Sequence, residues 1–237
     1  MEGLYQDKNV LVTGSRRGIG KLIAEHFLLH GAKVFGFSLG DALITHPRYT
    51  HFQVNVANSE SVQKGFANIK SVTDCLDIVI NNAGVITAQY SMIMPTAAAQ
   101  LMVNVNLLGP FFVSREASKV MRKKKWGRIV NISSMAASLE PIGDSIYAAT
   151  KAGVATMANI MAKELAPLNI TCNTLAVTAI ETDMLKQLSK AKIDEVISSL
   201  PIPRYAAPDD IFNVLDFLVS ERSGYITAQT IYLGGVN

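Results

Sequence analysis

A tyrosine and a lysine four positions apart, Tyr147 and Lys151, are the residues of this sequence best suited to proton transfer. On a helix this spacing places both side chains on one face, within reach of the same ligand. A lysine ammonium near a phenol favours the phenolate, so we expect the pKa of Tyr147 to lie below its usual value of about 10. Such a tyrosine can exchange a proton with a carbinol oxygen near neutral pH. Alone, the pair is equally typical of an ordinary surface.

Two further polar residues, Ser134 at the expected ligand crevice and Asn106 within a helical stretch, are candidates for function. Ser134 follows the apolar run 129–132, and its hydroxyl either binds a substrate carbonyl or caps a helix. Asn106 interrupts an apolar helical stretch, where asparagine is mildly unfavourable. Because a buried asparagine needs hydrogen-bond partners, often water, its position suggests a function.

A glycine-rich turn between a strand and a helix predicts a phosphate site. Gly14 permits a sharp turn, Gly18 lets the backbone approach a pyrophosphate, and Gly20 allows close packing of helix and strand. The turn lacks the Lys-Ser/Thr of a P-loop, so nucleotide hydrolysis is not expected. The predicted contacts are Gly14, Ser15, Arg16, Arg17, Gly18, Ile19 and Gly20.

The end of the second predicted strand bears on the choice of nucleotide. An acidic residue there would bind the ribose 2′-hydroxyl of NAD(H), but this chain has Ser38 and no carboxylate before Asp41. Arg16 and Arg17 could instead face a 2′-phosphate. NADP(H) is therefore favoured, and NAD(H) stays open because both arginines could be solvated.

Short β-branched runs alternate with segments of helical spacing. Val10–Val12, Ile78–Ile80 and Ile129–Ile132 are typical of strands buried on both faces. Helical spacing is found at about 96–121 and 148–165. This alternation predicts an α/β fold with a parallel sheet.

Composition limits the class of protein. The chain has 237 residues, of which 49% are hydrophobic and 17% charged, and this excludes intrinsic disorder. A formal charge of +3 argues against a dedicated nucleic-acid binder. No secretory signal or membrane-spanning run is evident, and Cys75 and Cys172 are too isolated to predict a disulfide framework or a metal site. We expect a cytoplasmic protein without metal, membrane or nucleic-acid contacts.

The chain shows no linker or repeat that would divide it. A single domain is therefore predicted over residues 1–237. The amphipathic segment at about 182–203 is either a lid over the site or a simple surface helix.

Taken together, these motifs resemble the short-chain dehydrogenase/reductase family over nearly the whole chain, residues 8–235. The resemblance implies one Rossmann-type, doubly wound parallel sheet of about seven strands with helices on both faces, assembled as a homotetramer or homodimer. It implies hydride transfer between a nicotinamide cofactor and a carbonyl or alcohol. In that chemistry Tyr147 would be the general acid/base, Lys151 would bind the nicotinamide ribose, Ser134 would polarise the carbonyl and Asn106 would hold a water. Tyr147 would contact the cofactor as well, and further cofactor contacts would come from Ser38, Asn55, Val56, Asn82, Ala83, Gly84, Val177 and Thr178.

Within the family, the runs 124–134, 169–173 and 225–230 are most similar to NADPH-dependent 3-oxoacyl-[acyl-carrier-protein] reductases of fatty acid biosynthesis. Two places depart from the pattern. Val177 and Thr178 replace the usual Pro-Gly after the sixth strand, and only residues 37–50 separate the second and third strands, too few for a full crossover helix.

The substrate is expected to be a small molecule or a carrier-bound acyl group. Leu168 stands where the carrier reductases often have a basic residue. The basic patch of Lys123–Lys125 and Arg128 either contacts an acidic acyl carrier protein instead or is a solvated charge run.

Two other functions stay open. One is an NAD(P)-dependent dehydrogenase of a cyclic alcohol, dihydrodiol or sugar. The other is a binding protein without enzymatic activity, since fold does not determine function. The first would favour NAD(H), and the second is opposed by the presence of all four catalytic residue types.

Overall fold

The computed structural model describes residues 3–180 and 190–236, with the side chains of 190–193 left aside. Its strands are β1 (Asn9–Thr13), β2 (Lys33–Ser38), β3 (Tyr49–Gln53), β4 (Ile78–Asn81), β5 (Gly127–Ser134), β6 (Ile170–Val177) and β7 (Thr230–Tyr232). All pair in parallel, in the order β3-β2-β1-β4-β5-β6-β7. The predicted α/β fold with seven parallel strands is confirmed.

Helices cover both faces of the sheet. They are α1 (Gly18–Leu29), α2 (Ser59–Val72), α3 (Thr96–Val103), α4 (Gly109–Met121), α5 (Ala136–Leu139), α6 (Ser145–Leu165), α7 (Lys190–Ser199) and α8 (Pro208–Val219). A π-helical turn, Asn104–Leu108, joins α3 to α4. The apolar sides of α1 and α8 pack on one face of the sheet, and those of α2, α4 and α6 pack on the other.

The inner strands β1 and β4 are buried along their whole length because helices cover both of their faces. In β1, Val10 and Val12 belong to the core beneath α1 and α8, whereas Leu11 belongs to the opposite core. Ile78 and Ile80 alternate with Val79 in the same way. A strand with two buried faces cannot show the polar alternation of a half-exposed strand.

The order of the strands creates the crevice. The chain winds outward from β1 through β2 and β3, and then in the other direction from β4 to β7. In such sheets ligands bind beyond the carboxyl ends of the strands where the order reverses, here between β1 and β4.

One helical stretch, Thr96–Met121, combines α3, the π turn and α4. It has 26 residues, and an 18-residue window of it has a mean hydropathy of 1.3, which is long and apolar enough to cross a membrane by length and composition only. One side of it packs into the core through Val113, Ala117 and Val120. That arrangement is the one expected of a core helix in an α/β protein.

The connection from β2 to β3 is short, as predicted. Residues 39–48, all described, contain no helix. The adenosine end of the predicted cofactor site is therefore bordered by a loop and by β3 itself.

Candidate active site

Strand ends and the first turn of α6 bring the predicted catalytic residues to one edge of the sheet. Ser134 is the last residue of β5, and Tyr147 lies in the first turn of α6. Lys151 follows one helical turn later, so the i, i+4 relation holds in the structure. Its ammonium nitrogen lies 5.8 Å from the centre of the Tyr147 ring.

Tyr147 is almost completely buried, with 8% of its surface exposed. Burial raises the pKa of its phenol, the hydrogen bond with Ser134 opposes that rise, and the nearby Asp144 charge adds to it. The predicted lowering of this pKa by Lys151 is wrong for the chain without ligands, because desolvation outweighs every favourable contact. Tyr147 is therefore a protonated phenol at neutral pH.

Lys151 is a buried cation, and among the described residues one group accepts a hydrogen bond from its ammonium. Its Nζ donates to the Ile132 carbonyl at 2.9 Å, and its own carbonyl accepts from the Ser133 hydroxyl. Burial lowers the pKa of Lys151 to about 8. An ammonium held by one carbonyl keeps two N–H groups for a ligand.

Asn106 has the hydrogen-bond partners that its burial requires. Its Oδ1 accepts from the Val85 N–H, and its Nδ2 donates to the Val85 carbonyl, both at 2.8 Å. Nδ2 also lies 3.3 Å from the Thr150 hydroxyl oxygen. The residue sits in the π turn, a distortion that often marks functional sites. Sequence reasoning missed Val85 and Thr150, because nothing in the sequence shows which groups face an inward-turned amide.

Gly84 brings Asn106 and Lys151 to a common point. A Cβ added to this glycine would lie 3.5 Å from Asn106 Oδ1 and 3.5 Å from Lys151 Nζ. An amide oxygen and an ammonium therefore border one small space, which a side chain at residue 84 would occupy.

The glycine-rich turn has the conformation that its sequence predicts. Gly14 and Gly18 have positive φ angles of 68° and 57°. A Cβ on Gly20 would overlap the Gly14 carbonyl oxygen, so close packing requires glycine there. The first turn of α1 has no side-chain cap and no acidic residue, and its N-terminal dipole favours an anion.

Three comparisons with known proteins agree with this geometry. A family model described as enoyl-(acyl carrier protein) reductase matches residues 14–237. The 3-oxoacyl-[acyl-carrier-protein] reductase of Aquifex aeolicus is 36% identical, over 99% of each chain, and that of Vibrio cholerae is 35% identical, over 97% of each. The ligand-free aldohexose dehydrogenase of Thermoplasma acidophilum superimposes with a TM-score of 0.91 at 28% identity, covering 100% of this chain and 96% of its own. A putative gluconate dehydrogenase of Agrobacterium tumefaciens superimposes with a TM-score of 0.89 at 26% identity. The match covers 99% of this chain and 98% of that protein.

The chain belongs to the short-chain dehydrogenase/reductase family. It is an oxidoreductase that acts on CH–OH and C=O groups, and the family uses a nicotinamide cofactor. The residues at the sheet edge fit such a dinucleotide. Glycines open the turn at the α1 N-terminus for a pyrophosphate, and Lys151 has N–H groups available for a ribose.

The other family positions differ in how they can serve a cofactor. The Asn82 side chain donates to the Thr13 carbonyl, and the N–H groups of Asn82 and Ala83 donate to the Thr13 hydroxyl, each at 3.0 Å. These bonds join the loop after β4 to the glycine-rich turn. Asn82 therefore supports the turn, while Gly84 faces Asn106 and Lys151.

The remaining predicted contacts are split between the two ends of the site. Asn55 is exposed after β3, whereas Val56 is buried and would meet a Cβ on Gly109. Val177 and Thr178 are both buried, and the Val177 carbonyl accepts from the Met135 N–H at 2.9 Å. Residues 182–189 of the predicted lid, 182–203, lie outside the described residues. Its described part includes α7, whose Ile197 packs on Ala179.

The basic patch proposed to contact a carrier lies elsewhere. Arg128 is 1% exposed and begins β5, at the opposite edge of the sheet from Ser134. Lys124 lies 3.5 Å from the Asp77 carboxylate, just before β4. Lys123–Lys125 are exposed, whereas the buried Arg128 adds no charge to their surface. Contact between these lysines and an acidic carrier stays a prediction.

Proposed function

We propose that this protein is an NADPH-dependent reductase of 3-oxoacyl thioesters, including those bound to an acyl carrier protein. The observation that carries the proposal is a buried, protonated Tyr147 beside Ser134 and Lys151 at the carboxyl edge of the sheet. A reductase needs a proton donor at the substrate oxygen, and a phenol with a raised pKa is in the donor form. The substrate class follows the names of full-length relatives at 35–36% identity.

Each catalytic side chain has one role in the proposed reaction. Bound NADPH supplies the hydride to the substrate carbonyl carbon. Ser134 donates to the carbonyl oxygen and orients it, and Tyr147 delivers the proton to the developing alkoxide. Lys151 binds the nicotinamide ribose, and its charge stabilises the tyrosinate left after proton transfer. Asn106, held by Val85, binds the water through which Tyr147 regains a proton.

The preference for NADPH rests on the end of β2. Ser38 offers no carboxylate to repel a 2′-phosphate, and Arg16 lies across Gly40 with its Nε donating to the Asp41 carbonyl at 3.1 Å. Arg17 is exposed at the start of α1. Two guanidinium groups beside a neutral strand end favour a phosphate over a hydroxyl.

The test is a steady-state assay of cofactor oxidation with acetoacetyl thioesters. We expect NADPH to be consumed and NADH to be used at least about tenfold less efficiently, as the loss of one charge-assisted contact implies. A 2-enoyl thioester serves as the control, since the matching family model carries an enoyl reductase description, and should give no turnover. No NADPH consumption with any 3-oxoacyl thioester would contradict the proposal.

A second candidate is oxidation of a sugar. It is favoured by the similarity to structures described as an aldohexose dehydrogenase and a putative gluconate dehydrogenase, with TM-scores of 0.91 and 0.89. The same preparation, incubated with aldohexoses and either NAD⁺ or NADP⁺, distinguishes the two. Sugar-dependent formation of reduced cofactor, without thioester reduction, would establish this alternative.

We also propose that the chain is a single catalytic domain that forms a homotetramer or homodimer through α4 and α6. Both helices expose apolar side chains, with Phe111 38% and Ile160 52% exposed, and they line a groove of about 330 Å³. A second copy of the same helix pair would cover this surface. Light scattering should show a multiple of the 25.6 kDa chain mass for the wild type and a smaller assembly for Ile160→Arg. A monomeric wild type would contradict the proposal.

A further inference from the structure

A chain of hydrogen bonds links the glycine-rich turn to β3 and to the loop after β2. The Ser15 hydroxyl, fully buried, lies 2.9 Å from the Tyr49 hydroxyl, which lies 3.0 Å from His51 Nδ1. The other ring nitrogen, Nε2, lies 2.9 Å from the Gly40 carbonyl oxygen and 3.2 Å from the Ser38 hydroxyl. This network stands at the strand end that meets the 2′ substituent of the nucleotide.

The donors and acceptors set the direction of this chain in the neutral ring. A carbonyl oxygen only accepts, so His51 Nε2 carries the proton donated to Gly40. Nδ1 must then accept, and the Tyr49 hydroxyl donates to it. That leaves the Tyr49 oxygen to accept from Ser15. Burial raises the pKa of Tyr49, with the Ser15 hydrogen bond opposing the rise, so the phenol keeps the proton that this arrangement needs.

The neighbouring strand is shaped to admit the phenol. A Cβ on Gly36 of β2 would overlap both the Tyr49 and the Ser15 hydroxyl groups. The backbone at Gly36 needs no positive φ, so glycine is required there by space alone. Glycine at position 36 therefore leaves the space in which the Tyr49 and Ser15 hydroxyl groups meet.

The network occupies acceptors that would otherwise repel a phosphate. His51 and Ser38 donate to the Gly40 carbonyl, and Arg16 donates to the Asp41 carbonyl. The Asp41 carboxylate, the first acidic group after β2, accepts from Gln53 Nε2 at 2.8 Å. The Gly40 and Asp41 carbonyls are therefore bound by protein donors, and the Arg16 guanidinium lies beside them.

We propose that His51 is a positioning residue that determines selectivity for the 2′-phosphate of NADP(H), and that Tyr49 holds its tautomer. The proposal rests on the proposed use of NADPH. His51 acts through the loop after β2: it orients the Gly40 carbonyl away from the phosphate, and Arg16 lies against Gly40. Without it, the loop would release its acceptors towards the nucleotide and lose discrimination between phosphate and hydroxyl.

The test measures equilibrium binding of NADP⁺ and NAD⁺ by calorimetry. For His51→Ala we expect the NADP⁺ dissociation constant to rise about tenfold while that of NAD⁺ changes less than about twofold, because one hydrogen bond that orients a charged contact is lost. His51→Gln, whose amide can still donate to Gly40, should recover most of the selectivity. His46→Ala, a matched histidine on the same connection, should leave both constants unchanged.

Tyr49→Phe keeps the experiment decisive if His51→Ala does not fold. It removes one hydroxyl and should weaken the binding of NADP⁺, but not of NAD⁺, by less than His51→Ala does. Thermal unfolding of the free protein, followed in parallel, reports whether the variant is folded. If the binding of both nucleotides weakens equally, or neither affinity changes, the network is merely structural. The inference then fails while the proposed use of NADPH stands. If the wild type itself shows no preference for NADP⁺, the proposed use of NADPH fails instead.

Discussion

Two buried cations stand at opposite ends of β5, and they are bound in different ways. Arg128, at the amino end, donates to the carbonyls of Gly127, Ser220 and Glu221 at 2.9, 3.2 and 3.4 Å. Its guanidinium also lies 4.5 Å from the centre of the Trp126 ring. Lys151, at the carboxyl end, has one carbonyl acceptor, Ile132.

The difference separates a structural charge from a functional one. A buried charge is tolerated when hydrogen bonds and ring faces replace its water. Around Arg128 three carbonyl oxygens and a ring face replace water, and they join β5 to the end of α8. Around Lys151 the replacement is less complete, with one carbonyl acceptor among the described residues. Burial lowers the pKa of both groups, that of Lys151 to about 8. Such incompleteness at the edge where ligands bind is what a cofactor site requires.

The largest effect is expected at the catalytic end. Tyr147→Phe should reduce kcat for the thioester by about 10²–10⁴-fold, because the proton donor is lost while the ring still fills its place. Calorimetry should show nearly unchanged NADPH binding. Turnover within tenfold of the wild type would mean that another group donates the proton.

The structural end should respond in stability. Arg128→Met should lower the free energy of unfolding by about 3 kcal/mol, because it leaves buried carbonyl oxygens without a donor. Urea denaturation measures this loss, and Lys125→Met, at an exposed lysine nearby, is the control. In the folded variant kcat should stay within about twofold, since Arg128 lies at the far edge of the sheet. A catalytic defect with intact stability would contradict the assignment of roles.

The smallest expected effect sharpens the comparison through pH. The folded-state pKa of Lys151 is about 8 and the unfolded value is 10.5, so the unfolded state binds more protons between these values. Stability contributed by this group should therefore rise with pH over that window, by at most about 3 kcal/mol. Denaturation at several pH values should show this rise in the wild type and not in Lys151→Met. An equal rise in both would assign the effect to other groups.

Much of the fold followed from local patterns. The alternation of β-branched runs and helical spacing predicted the parallel sheet, because strands covered on both faces are apolar throughout. The glycine-rich turn was equally legible, since positive φ angles at Gly14 and Gly18 restrict residue type. The i, i+4 spacing of Tyr147 and Lys151 followed from helix geometry alone.

Other features depended on distant partners. Arg128 was grouped with three exposed lysines because its place in the sequence does not show that its side chain is buried and donates to the Ser220 carbonyl. The shift in the pKa of Tyr147 was predicted in the wrong direction. The sequence shows the lysine one turn away, but it does not show that the phenol is buried. Tyr49 and His51 were missed because their partners, Ser15 and Gly40, come from other strands and loops.

By itself, the sequence determined the family, the parallel sheet and the set of residue types available for chemistry, because these depend on short-range periodicity and on motif order. The tertiary structure alone decided which of those residues are protonated, bound or free. Burial, and the carbonyl and hydroxyl groups brought together from separate strands, set the state of Tyr147, Lys151 and Arg128. Desolvation and these hydrogen bonds arise only when residues distant in sequence pack together, so no single segment of the sequence determines them.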